Sequence, residues 1–238
     1  MVALLLGGVI GGCTRNRAPA PRPGPGSVEP LALERGLRLE DLGTQSLFRL
    51  QYQGPEGSGS LRLVLQLVGS ERYRIETKDR FGRSLWRLDV ASERATLLDD
   101  RARIFCTSSE GVRIPEVALD SLPLEALPAI LLARLPGDLE PLGGGEFRDR
   151  AQRRWTASGS GAEVLAWTFW DAGEPKLWWT RENGGGGVLS HRAGSQLRWK
   201  RVAGEPLSAP VAPLVMQSGY REIACASWPG GLASVAED

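Results

Sequence analysis

The sequence predicts a mainly β, single-domain fold laid out as an antiparallel meander, and three observations carry that reading. From Leu47 onward, apolar residues alternate with polar ones at a period of two, the pattern of a half-buried strand. Such runs recur along the chain between clusters of Gly, Asp and Ser, which are turn formers. Only one later stretch, 123–137, breaks the alternation with helical spacing. At 238 residues the chain is long enough to bury one substantial core.

The elements follow in order. Residues 14–30 are rich in Pro and Arg, cannot build a core and read as an extended tether. Leu31 to Leu42, with Leu33 and Leu37 at helical spacing around Gly36, reads as a weak amphipathic helix opening the domain at 31–238. Phe48, Leu50 and Tyr52 alternate with Arg49 and Gln51, and after a Gly-rich turn Leu61, Leu63, Leu65 and Leu67 continue the pattern as a hairpin. Strands are expected at Arg72–Thr77, Ser84–Val90, Ala95–Leu98 and Arg101–Thr107, with turns at 79–82 and 99–100. The helix is expected from Ala126 to Arg134: Pro128 fits its first turn, Leu127, Ile130 and Leu131 form its apolar face, and Pro136-Gly137 stops it.

Beyond Gly143-Gly144-Gly145 come strands at Arg153–Ala157, Glu163–Trp170, Lys176–Arg181, Val188–Arg192 and Gln196–Val202, then a pair near Val211–Met216 and Tyr220–Ser227. Gly184 to Gly187 reads as a flexible hairpin loop. Trp167 and Phe169 share one strand face while Trp170 points to the other, and Trp178 and Trp179 must oppose each other. Both faces are therefore apolar there, so either a cover lies outside or the inner face lines a hollow.

Composition excludes several functions. With 29 Lys+Arg against 28 Asp+Glu, the net charge of +1 offers no field for nucleic acid. The single histidine, His191, has no carboxylate near it in sequence and reads as a strand residue. Its spacing from Cys106 and Cys225 fits no zinc pattern, so no metal or other cofactor is expected. No nucleophile elbow, P-loop or dinucleotide fingerprint occurs, and pairs such as Asp99-Asp100 and Glu40-Asp41 read as turn formers, so no catalytic residue is assigned.

The apolar run Met1–Ile10, followed by Gly11-Gly12-Cys13, resembles the lipobox of bacterial lipoproteins, although no positively charged stretch precedes Val2. The resemblance implies a signal peptide at 1–12 and an acylated Cys13 at the head of the tether 13–30, anchoring the domain to a membrane. Acylation of Cys13 leaves Cys106 and Cys225 as a pair in an oxidising compartment. Both lie in strand-like stretches that suit a buried thiol as well as a disulfide, and the sequence does not choose between them.

Leu47 to about Asp138 resembles LolB, the outer-membrane lipoprotein receptor family. The resemblance rests on Arg72-Tyr73-Arg74-Ile75 with Phe81-Gly82, on Leu97-Leu98-Asp99-Asp100, and on Leu122-Pro123-Leu124 with Leu135-Pro136-Gly137-Asp138 around the helix. Trp199-Lys200-Arg201-Val202 and Tyr220 through Trp228 resemble the family's closing strands. It implies an incomplete antiparallel β-barrel enclosing an apolar cavity closed by short lid helices. It also implies a monomer, lipid-anchored in the cell outer membrane and facing the periplasm, that accepts acylated lipoproteins from a LolA-like carrier and inserts them into the membrane. Cavity residues are then expected among Phe48, Leu50, Leu63, Leu65, Ile75, Trp86, Leu88, Leu127, Ile130, Leu131, Trp167, Phe169 and Trp199, and a membrane-insertion loop at Asp79, Arg80, Phe81 and Gly82. Two features depart from the family: extra Trp-rich strands between Glu146 and Val188, and Arg80 where the family's loop carries proline. A second reading keeps the half-barrel but makes the protein a lipid-anchored binding or scaffold protein of the envelope; a lipid-anchored hydrolase lacks a nucleophile–base motif.

Overall fold

Period-two stretches become strands because each can bury one face, and among the described residues these and a few shorter strands, fourteen in all, join a single sheet. A computed structural model describes residues 33–55, 57–92, 94–109, 124–183, 185–212, 214, 216 and 218–225. The signal peptide, Cys13, the tether, Leu31, Leu122, Pro123 and Trp228 lie outside the described residues.

The first half of the sheet is a meander of β1 (Thr44–Gly54), β2 (Gly57–Gly69), β3 (Arg72–Lys78), β4 (Ser84–Ala91), β5 (Arg94–Asp99) and β6 (Ile104–Ser108). Helix α1 (Leu127–Leu131) follows. The second half is β7 (Glu140–Gly143), β8 (Glu146–Arg148), β9 (Arg154–Ser160), β10 (Glu163–Asp171), β11 (Glu174–Glu182), β12 (Gly186–His191) and β13 (Gln196–Pro206), with a short β14 (Arg221–Glu222) at the end. The spatial order is β14-β6-β5-β4-β3-β2-β1-β13-β12-β11-β10-β9-β8-β7, so the first and last long strands, β1 and β13, join the halves and the outer edges do not pair. The domain is mainly β, and its one sheet is an incomplete barrel.

Register places the apolar residues on the concave face. Leu50 lies opposite Leu61 and Trp199, Leu65 opposite Ile75, Ile75 opposite Leu88, and Leu189 opposite Leu197. All of these are buried. Four buried tryptophans continue the core across the second half, with ring centroids 5.2 Å apart for Trp155–Trp167, 6.2 Å for Trp167–Trp179 and 6.4 Å for Trp179–Trp199. As the alternation requires, Trp178 points outward and is 40% exposed while Trp179 is fully buried.

Several elements differ from the sequence expectation. The helix over 31–42 is absent from the described part: Gly36 adopts φ +68° and packs on Gly137, where a Cβ would meet the Gly137 Cα at 3.0 Å. Only a single 3-10 turn, Leu39–Asp41, remains. Helix α1 stops at Leu131 rather than at Arg134, because Ala133 turns left-handed at φ 61° and Leu135 bridges to Arg35. Pro128 does sit in its first turn.

The strand expected from Arg101 begins at Ile104, since the Asp99 carboxylate accepts the amides of Arg101 and Ala102 at 2.8 Å each and holds a turn. Gly143-Gly144-Gly145 is a hairpin turn between two strands the alternation did not reveal, β7 and β8. Gly186 and Gly187 are strand rather than loop: a Cβ on Gly187 would lie 2.0 Å from the Trp179 indole nitrogen, so close packing selects glycine there.

Among the described residues, the expected last antiparallel pair does not form. Val211 and Ala212 cross the outer face, their carbonyls accepting from Arg72 and Arg74, and β14 then pairs parallel to β6. Cys106 and Cys225 are joined by a disulfide, with Cα atoms 5.2 Å apart, which fastens this segment to the β6 edge.

Leu65 is fully buried and its neighbour Val64 lies on the opposite face. Leu65→Glu should therefore cost several kcal/mol by desolvating a carboxylate without a partner, whereas Val64→Glu should cost less than about 1 kcal/mol. Urea unfolding of the two variants checks this, and equal destabilisation contradicts the assigned faces.

Candidate functional site

The concave face is deepest where both halves of the sheet meet α1. Leu50, Leu63, Ile75 and Trp86 from β1 to β4, Leu189, Leu197 and Trp199 from β12 and β13, and Leu127, Ile130 and Leu131 from α1 surround a cavity of about 20 Å³. Such a volume holds about one water, and with only apolar side chains around it the cavity offers water no partner. Leu127, Ile130 and Leu131 of α1 fill most of the space between the two halves of the sheet.

A five-residue helix has no stability of its own, and its carbonyls outnumber its internal donors. The sheet supplies the missing donors. Trp199 Nε1 donates to the Leu131 carbonyl at 3.1 Å, an Arg181 guanidinium nitrogen to Ala133 at 3.3 Å, and the Tyr73 hydroxyl to Leu124 just upstream at 2.6 Å. Behind the helix, the buried Arg134 is ion-paired with the buried Asp41 and reaches Glu34 at 3.3 Å. The helix is thus a plug held by named bonds of about 1 kcal/mol each, plus one buried ion pair.

The second part of the site is the turn between β3 and β4. Asp79 is only 7% exposed, not solvated as its neighbours suggested, while Phe81 is 70% exposed. The Asp79 carboxylate accepts the amides of Phe81 at 2.8 Å and Arg83 at 2.9 Å, and the Arg83 guanidinium at 2.6 Å. Gly82 supplies the positive φ of 83° that closes the turn. Arg80 and Arg83 lie over the phenyl ring at 4.7 and 5.6 Å. Burial pushes the Asp79 pKa up, but the Arg83 guanidinium and the amides of Arg83 and Phe81 outweigh it and hold the carboxyl below its ordinary value of 3.8.

Of the thirteen cavity residues expected from the sequence, eight line the cavity; Phe48, Leu65, Leu88, Trp167 and Phe169 are buried elsewhere in the same core. Leu189 and Leu197 were missed, although the alternation of their strands marks them as inward. Also missed was a repeated turn. Asp149-Arg150-Ala151-Gln152-Arg153, between β8 and β9, reproduces the Asp79–Arg83 bonds: Asp149 accepts the Arg153 amide at 2.9 Å and its guanidinium at 2.8 Å. The shared Asp-Arg-x-x-Arg spelling could have revealed it. The second copy lacks the aromatic tip. Asp41, read as a turn former, does accept the Arg38 amide at 2.7 Å within its own turn, and it is also the buried partner of Arg134, a pairing 93 residues apart that no local pattern announces. His191 accepts the Ala193 amide within its own turn at 3.1 Å.

A known structure shares this fold. A LolA superfamily protein from Nitrosomonas europaea superposes with a TM-score of 0.52 at 12% identity, covering 73% of this chain and 90% of that one. The fold is LolA-like. A candidate outer membrane lipoprotein-sorting protein domain from Vibrio parahaemolyticus (TM-score 0.47, 11% identity, 71% of this chain and 86% of that one) matches more loosely. So does a DUF1329 family protein from Desulfovibrio piger (TM-score 0.48, 9% identity, 71% and 87%). No protein-family model and no curated protein matches the sequence. Identity this low shows the LolA-like fold alone, with no choice among its members. No helix among the described residues is long and apolar enough to cross a membrane.

Because the folded-state pKa of Asp79 is lowered, its contribution to the turn is complete above the ordinary carboxylate range and is lost as pH falls through the lowered value. The amide NMR shifts of Phe81 and Arg83 should titrate together with a midpoint below 3.8. A midpoint at or above that value contradicts the assigned bonds.

Proposed function

We propose that this protein is an outer-membrane lipoprotein, anchored through Cys13, that accepts acylated lipoproteins from a LolA-like periplasmic carrier and inserts them into the membrane. The observation that carries the reading is a connection: the turn bearing exposed Phe81 joins the two strands that bring Ile75 and Trp86 to the cavity. Ile75 lies three residues before the end of β3, which at about 3.4 Å per residue places the start of the Phe81 turn roughly 10 Å beyond that side chain. Cargo seat and membrane probe belong to one hairpin.

The energetics suit transfer without covalent chemistry. Burying an acyl chain gains about 0.8 kcal/mol per CH₂, so about a dozen methylenes supply on the order of 10 kcal/mol. Displacing α1 breaks a few hydrogen bonds of about 1 kcal/mol each and unburies Leu127, Ile130 and Leu131 at about 1.5–3 kcal/mol each, a cost of the same order as the acyl gain. A chain that takes their place against the sheet therefore exchanges with the plug near balance. Release into a bilayer then needs only a small difference in affinity, since about 1.4 kcal/mol per hand-off gives a tenfold bias.

The alternative, a lipid-anchored binding or scaffold protein with the same half-barrel, is favoured by the outward aromatics: Trp178 is 40% exposed, and Trp170 lies under Arg154 at 5.1 Å. Its cargo would stay in the cavity and never reach liposomes.

Phe81 separates the two. A phenyl ring passing from water into lipid gains about 1.5–3 kcal/mol, worth one to two orders of magnitude in a release rate. Phe81→Glu should keep its thermal stability and still take up a fluorescent acylated peptide, yet fail to pass it to liposomes; Phe81→Leu should behave nearly as wild type. Delivery unaffected by the glutamate rejects the receptor reading.

A further inference from the structure

The surroundings of Phe81 name the surface it meets. In the antiparallel order, the β3–β4 and β5–β6 turns fall at the same end of the sheet, and Arg101 of the second turn reaches Asp79 of the first at 3.4 Å. The two turns carry four arginines and three aspartates, and the aspartates are directed inward. Asp79 is occupied by Arg83 and two amides, Asp99 by the amides of Arg101 and Ala102, and Asp100 by Arg87 at 2.6 Å and the Tyr220 hydroxyl at 2.8 Å. Two of the four guanidiniums, Arg83 and Arg101, turn to Asp79, whereas Arg80, over the Phe81 ring, and Arg103 are exposed and have no carboxylate partner among the described residues.

The apolar part of this end is small. Of the large exposed apolar side chains among the described residues, Phe81 alone belongs to these two turns; Leu39, Leu142, Leu165, Trp178 and Val202 belong to other elements. One phenyl ring cannot form the core of a protein interface, which buries about 800 Å² on each partner. It suits a bilayer, where an aromatic enters the interfacial layer and each arginine nearby meets phosphate.

We propose that Arg80, Arg83, Arg101 and Arg103 around Phe81 form a docking surface for an anionic phospholipid bilayer, the guanidiniums engaging headgroup phosphates while the ring enters the acyl layer. This rests on the reading of Phe81 as membrane-facing and adds the chemistry of the target. Docking then orients the half-barrel with its cavity hairpin toward the lipid, and strand β3 runs from the headgroups to the cargo.

The test uses the mature chain, residues 13–238, with Cys13→Ala, so that neither the apolar leader nor an acyl anchor contributes, in flotation with vesicles of phosphatidylcholine alone or with phosphatidylglycerol added. Partition should favour the anionic vesicles, and that preference should shrink as salt is raised. Arg80→Gln and Arg103→Gln should each lower partition to anionic vesicles about fivefold, with a far smaller change on neutral ones. Phe81→Ser should lower partition to both. Equal partition to the two vesicles, or no loss in either arginine variant, overturns the docking surface while leaving Phe81 as a membrane probe. No loss with Phe81→Ser overturns that underlying reading instead. Arginine variants that bind vesicles normally but receive less cargo from a carrier make the rim a protein contact and also overturn the proposal.

Discussion

A sheet that curls without closing leaves its concave apolar face to be covered, and in this protein helix α1 is what covers it. Everything near the site follows from that requirement. The helix is too short to persist alone, so Trp199, Arg181 and Tyr73 hold its carbonyls and those of its flanks, and Arg134, three residues past its end, is paired with Asp41. The cover also fills the concave face: Leu127, Ile130 and Leu131 leave a cavity of only about 20 Å³ between α1 and the sheet. In the proposed function, a bound acyl chain takes their place.

The same hairpin that meets the plug extends to the rim. Strands β3 and β4 contribute Ile75 and Trp86 inside and end in a turn made rigid by a buried carboxylate, so the exposed ring of Phe81 has a fixed relation to the cavity. The repeated turn at Asp149–Arg153 shows that the Asp-Arg-x-x-Arg unit is a structural device, used once to close a hairpin and once to present an aromatic. Sequence spelled the scaffold twice and the probe once.

Strand positions and faces were readable because alternation acts locally: Leu63, Ile75, Trp86 and Trp199 needed only period two to be assigned inward. Features set by distant contacts were not readable. Gly36 is fixed by Gly137, Asp41 by Arg134, and Gly187 by the indole of Trp179, and in each case the neighbouring residues suggest a helix or a loop instead. The short β7 and β8 carry too few residues for a period to emerge. Phe48, Leu65, Leu88, Trp167 and Phe169 illustrate a further limit: alternation tells inside from outside, but where along a buried face the packing leaves a gap depends on where α1 lands.

The central claim is that acyl chains bind between α1 and the sheet by displacing the plug. Photo-crosslinking with a lipopeptide whose acyl tail ends in a diazirine tests it most directly, with the labelled residues located by peptide mapping. The account predicts labels on Leu50, Ile75, Trp86, Trp199 and the α1 segment, competed away by an unlabelled lipopeptide. Labels confined to the outer face around Trp170 and Trp178 would contradict it.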